Sequence, residues 1–144
     1  MVFIGMKLLY ILNETINKKR LLKKLEEMGF DKEDALSELE YLVDYVENLP
    51  EKVKLYRILS LDDINDINKD ELGSHYSISK KDLVSSHSYV SEFGEKKYLV
   101  SVEVPKNLID VQSTLENRIL YPNEKEITIK NKGKGVKILD IKEI

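Results

Sequence analysis

The chain has 144 residues, 34% of them charged, with a net charge of −3 and a pI of about 5.5. This length suits one domain with a substantial core, and the acidic balance gives no general affinity for a nucleic-acid backbone. With no cysteine, disulfides and thiolate metal sites are excluded, and two histidines, His75 and His87, are too few for an obvious metal cluster.

The opening MVFIGMKLLYIL is apolar but is interrupted by Lys7. It lacks a basic leader region and a small-residue cleavage site, and it is too short to span a bilayer. The expectation is a cytoplasmic protein with no signal peptide and no membrane partner.

Leu8, Leu9, Leu12, Ile16, Leu21, Leu22, Leu25 and Met28 approximate helical spacing. Gly29–Phe30 reads as the stop of that helix, whose start falls near Gly5 or near Asn13, with a short strand the alternative for the first residues. A second helix begins at Asp31, a good N-cap, with Glu33 and Asp34 matching the helix dipole. Leu36, Leu39, Val43 and Val46 form its apolar stripe, and Leu49–Pro50 ends it.

From Lys52 the period changes. KVKLYRIL alternates as a strand, with Val53, Leu55 and Arg57 on one face and Lys54, Tyr56 and Ile58 on the other. An arginine on a core-facing strand needs an anionic partner or a route to water. Ser60–Asp63 caps a short helix carrying Ile64 and Ile67. His75–Ser79 reads as a short strand bearing hydroxyls at Ser77 and Ser79. KKDLVSSHSYV begins a short helix, Gly94–Glu95 turns, and KYLVSVEV is a strand ended by Pro105. Gln112–Leu120 reads as a polar loop. Glu126–Lys130 and Val136–Ile141 read as two strands joined by the turn NKGKG, a hairpin signal.

The stretch YPNEKEITI, Tyr121–Ile129, carries Glu124 and Glu126 where a turn becomes a strand. On a strand, residues i and i+2 share a face, so both carboxylates are expected to point into one cleft. Like charges at that spacing repel, and packing alone would not select them. The order of helices followed by strands gives an α+β domain over 1–144, with a helical part at 1–51 and a β core at 52–144.

Three polar groups thus stand in chain order: Arg57 in LYRIL, Ser77-Ile78-Ser79 in HYSIS, and Glu124-Lys125-Glu126 in YPNEKEITI. Together they resemble the arginine–serine–glutamate class of mono-ADP-ribosyltransferases, found in binary toxins and phage-encoded transferases. KKYLVSVEVPKN and KGVKILDIKEI also look like strands of that family, so the resemblance spans Lys52 to Ile144. Ile78 stands where the family has threonine, and the short interval from Arg57 to Ser77 implies a trimmed loop over the cofactor.

The resemblance implies a helical pair packed on a mixed, mainly antiparallel core of ADP-ribosyltransferase type. It implies NAD as cosubstrate, no metal, and a target protein whose side chain accepts ADP-ribose. Glu126, Glu124 and Ser77 would be catalytic. Arg57, Tyr56, Ser77, Ser79 and His75 would bind the cofactor, and Tyr121 and Asn123 would belong to the substrate loop. Glu at position 124 implies arginine as the acceptor. A bacterial cytoplasm, a phage origin, and an inhibitor or antitoxin as partner complete the expectation. The alternative is a non-catalytic member of that fold acting as a binding or structural protein. A helical-hairpin interaction module with an unrelated sheet is a further one.

Overall fold

The computed structural model describes residues 16–86, 96–123 and 125–144. The opening apolar stretch, the Gly94–Glu95 turn and Glu124 lie outside the described residues. The chain is α+β and divides into two compact units, one formed by Met1–Leu49 with Asp110–Asn123 and the other by Pro50–Ile109 with Glu124–Ile144.

The first unit holds three mutually contacting helices: α1 (Lys18–Glu27), α2 (Lys32–Glu47) and, later in the chain, α4 (Val111–Leu120). Asn17 caps α1 by accepting from the Arg20 N–H, and Asp31 caps α2 by accepting from the Asp34 N–H at 2.8 Å. Between them the chain reverses through Gly29, at φ +105°. The Phe30 N–H donates to the Leu25 carbonyl and the Gly29 N–H to that of Glu26, the paired closure expected of a glycine-terminated helix. Leu21 and Leu25 of α1, and Ala35, Leu39, Val43 and Val46 of α2, are buried.

Residues 112–120 are helical, not a polar loop. Asp110 supplies the cap, accepting from the Ser113 N–H at 3.1 Å. Leu115 and Ile119, four apart, are buried on one side, and Thr114 just before them is fully buried. Arg20 of α1 pairs with Glu116 of α4, and the Arg118 guanidinium lies 4.6 Å from the Tyr45 ring centroid of α2.

The second unit is a five-stranded sheet in the order β4-β2-β1-β3-β5, where β1 is Lys52–Leu61, β2 His75–Ser77, β3 Lys96–Pro105, β4 Glu126–Thr128 and β5 Lys137–Glu143. Every pairing is antiparallel, so the sheet is not mixed among the described strands. A short helix, α3 (Lys80–Ser86), follows β2 and contacts β1. The long β1–β3 ladder places Val53, Leu55 and Arg57 opposite Val104, Val102 and Val100. All of these except Arg57 are buried, which identifies this as the core face.

The expected hairpin between β4 and β5 does not form. The two strands occupy opposite edges of the sheet, β4 against β2 and β5 against β3. The NKGKG segment instead makes a 3-10 turn at Asn131–Gly133, and the Lys132 carbonyl accepts from the Gly73 N–H at 2.9 Å. β5 pairs Ile141 with Val100 and Ile138 with Val102, and a bulge between Ser101 and Val102 absorbs the odd spacing of the two isoleucines. Both isoleucines thereby meet the buried valines, which a return along β4 would not offer.

Candidate functional site

The sequence-predicted residues of the sheet gather around the three-residue strand β2. Its register is explicit: Ser77 lies opposite Glu126, Tyr76 opposite Ile127 and His75 opposite Thr128, while Tyr56 of β1 lies opposite Ser77. Directly opposed residues of an antiparallel pair share a face, and faces alternate along each strand. Tyr56, His75, Ser77, Glu126 and Thr128 therefore share one face. Arg57, Tyr76 and Ile127 share the other.

The first face holds a carboxylate with a close partner. Glu126 Oε1 lies 2.5 Å from His75 Nδ1, a diagonal neighbour across the two strands. The Glu126 side chain is only 21% exposed, whereas that of His75 is 61% exposed. Ser77, expected to orient the glutamate, is engaged elsewhere. Its hydroxyl donates to the Ser79 carbonyl at 3.0 Å and accepts from the Ser79 N–H at 3.1 Å. Its single proton is spent in that local turn.

Ser79 is not on the strand with Ser77. The strand stops at Ser77, and the Ser79 hydroxyl caps α3 by accepting from the Asp82 N–H at 3.2 Å. A serine just before a helix answers the unpaired amides of the first turn.

Lys125 fixes the entry to β4. Its backbone is left-handed at φ +49°, its carbonyl accepts from the Ile78 N–H at 3.2 Å, and its ammonium lies 2.8 Å from Asp82 Oδ2. The hydrogen bond and charge of Lys125 hold the Asp82 carboxyl below the usual carboxylate range. The chain is not extended at Lys125, and the strand begins at Glu126. Glu124 itself lies outside the described residues.

On the opposite face the Arg57 guanidinium rests 5.8 Å from the Tyr76 ring centroid, and Nη1 donates to the His75 carbonyl at 2.9 Å. Gly73 admits it closely. A Cβ there would stand 2.6 Å from Nη1 and 2.8 Å from Cζ. Two polar atoms of this cluster, Arg57 Nε and the Tyr76 hydroxyl, are buried without a hydrogen-bond partner. Burial pushes the Tyr76 pKa up, and the Arg57 charge opposes part of that rise. Among the described residues no carboxylate pairs with Arg57, so its charge is compatible with an anionic ligand.

The predicted cleft is therefore rearranged. Ser77 and Glu126 face one another as expected, but Arg57 emerges on the other side of the sheet and reaches His75 through the main chain. Tyr121 and Asn123 belong to the helical unit. Tyr121 closes α4, its N–H donating to the Asn117 carbonyl at 2.7 Å, and both side chains are exposed. The His75–Glu126 contact was missed as a pair. Its signal lay in the diagonal that places residue 75 beside residue 126 once Ser77 faces Glu126.

No family model, curated protein or solved structure matches the chain. Among the described residues, no helix is long and apolar enough to cross a membrane.

Proposed function

We propose that this protein is a mono-ADP-ribosyltransferase that uses NAD as cosubstrate and modifies a protein side chain, arginine being the acceptor favoured by a glutamate at position 124. The observation that carries the reading is the register of β2 and β4, with Ser77 opposite a largely buried Glu126. It joins two of the three motif groups on one face, as the resemblance requires.

In this reading the bond between ribose C1′ and the nicotinamide nitrogen breaks, and its electron pair leaves with neutral nicotinamide. The ribose becomes oxocarbenium-like. Glu126 grips the ribose hydroxyls and sets negative charge beside that cation. The acceptor nitrogen then bonds to C1′ and gives up a proton, for which Glu124 is the base. Arg57 lies on the opposite face of the sheet and reaches this chemistry only through the His75 main chain.

One specific observation favours a second reading, a non-catalytic member of the same fold that binds a partner. The Ser77 hydroxyl is committed to Ser79, and Arg57 lies across the sheet from Glu126. Labelled NAD incubated with a lysate separates the two. Transfer of label to protein is expected from the wild type. Glu126→Gln should lose about a hundredfold or more in transfer and in NAD hydrolysis together, as when a preorganised charge-stabilising group is removed. A wild type that neither transfers label nor hydrolyses NAD leaves the binding-protein reading.

A further inference from the structure

We infer that His75 is the residue that holds the Glu126 carboxylate in place, and that Arg57 acts on the same carboxylate indirectly, by fixing the main chain of His75. The catalytic consequence rests on the transferase reading above. The positioning itself does not.

Three observations converge on His75. Its Nδ1 lies 2.5 Å from Glu126 Oε1, so this nitrogen carries the shared proton and the carboxylate accepts it. Its carbonyl accepts from Arg57 Nη1 at 2.9 Å, so a guanidinium with no carboxylate partner among the described residues is anchored to its backbone. The alternative holder, Ser77, faces Glu126 in register but has given its proton to the Ser79 carbonyl. Among the described residues, the strong side-chain partner of Glu126 is therefore His75, from the diagonal position.

The arrangement has a chemical meaning. A glutamate side chain has three rotatable bonds, and gripping a ribose requires one of its rotamers. An imidazole N–H fixes one oxygen and leaves the second free for a hydroxyl. The His75 ring itself is mostly exposed, so it contributes orientation without burying a second charge.

The test combines a spectroscopic and a kinetic arm. The chain has only two histidines, so His75→Asn assigns the ring resonances of His75 in long-range nitrogen–proton spectra. The expected spectrum has a protonated Nδ1 on His75 that moves in Glu126→Gln and stays in Ser77→Ala. A resonance indifferent to Glu126→Gln, or moved as much by Ser77→Ala, overturns the inference. Kinetically, His75→Leu should lower kcat for NAD consumption by about ten- to a hundredfold, the range for removing an outer partner that orients a functional group. Its KM for NAD should stay within about twofold, since the orientation that is lost acts in the transition state and not in ground-state binding.

His75→Asn places an amide N–H where Nδ1 was and should recover most of that kcat. A structural role alone would not distinguish Asn from Leu at an exposed position with unchanged melting. Equal defects in the two variants, or wild-type kcat in His75→Leu, overturn the positioning role. If the wild type consumes no NAD, the transferase reading fails, and the spectra still decide whether His75 holds Glu126.

Discussion

Gly73→Ala isolates the contact that anchors Arg57. Gly73 has φ +103°, and a Cβ there would meet Arg57 Nη1, Cζ and Nη2 at 2.6, 2.8 and 3.0 Å. Two costs follow. The backbone term, for a side chain held so far from the common regions, is of order 1–3 kcal/mol. The second arises because the guanidinium must move. It then loses a charged hydrogen bond to the His75 carbonyl, worth about 1.5–3 kcal/mol, and part of its stacking on Tyr76, worth about 0.5–1 kcal/mol at a partly exposed site. The total expected loss is about 3–7 kcal/mol.

Gly29 offers a natural reference, since it has φ +105° and nothing within 4 Å of an added Cβ. Gly29→Ala should show only the backbone term, about 1–3 kcal/mol. Urea denaturation with linear extrapolation measures each variant. The decisive step is a cycle with Arg57→Ala, in which the second cost of Gly73→Ala should vanish, giving a coupling of about 2–4 kcal/mol. If Gly73→Ala costs the same with and without Arg57, the crowding does not act through the guanidinium and the anchoring argument is wrong.

Two further outcomes bear on the same cluster. Tyr76→Phe removes a buried hydroxyl with no hydrogen-bond partner, and it should be neutral or stabilising by about 1 kcal/mol. The Tyr76 pKa is raised from 10.0, so its contribution is fully present below pH 10 and is lost as pH rises toward the folded value. Denaturation curves should therefore show the wild type losing more stability than Tyr76→Phe above pH 10, and parallel losses would contradict the burial argument. Arg57→Lys should lower the melting temperature, because an ammonium cannot reproduce both the bond to the His75 carbonyl and the stacking on Tyr76. An unchanged melting temperature would contradict the anchoring role of the guanidinium.

Local chemistry made much of the fold legible. Asp31, Gly29–Phe30 and the alternation of Lys52–Leu61 each announce their element through a cap, a stop or a period, and each is found where expected. The misses have long-range causes. Helix α4 carries Gln, Ser, Thr, Glu, Asn and Arg, so its surface polarity masks the pair Leu115 and Ile119 that it buries. NKGKG contains turn residues, but which edge of the sheet β5 joins depends on buried valines of β3 far away in sequence.

The site shows the same division most sharply. Alternation already placed Arg57 with Val53 and Leu55, while motif order suggested that it meets Ser77 and Glu126. Both expectations could hold only if Arg57 were opposite Ser77, and the partner of Ser77 is Tyr56. That difference is one residue of register, and one residue reverses every side chain of a strand. Nothing local encodes it, because β2 has only three residues and one register pair with β1.

What holds that register is a set of bonds around β2, each of which a one-residue slip would break. The Gly73 N–H is fixed on the Lys132 carbonyl before the strand, and the Ile78 N–H on the Lys125 carbonyl after it. Ser77 closes on Ser79, and Ser79 caps α3, so the strand cannot lengthen without uncapping the helix. Arg57 Nη1 binds the His75 carbonyl within the strand itself. Several net bonds of about 1 kcal/mol each oppose a slip that would bury nothing new. Arg57 is therefore kept on the side of Tyr76, and its connection to Glu126 is the backbone and imidazole of one residue, His75. The position two residues before Ser77 is then as much a part of the site as the serine itself.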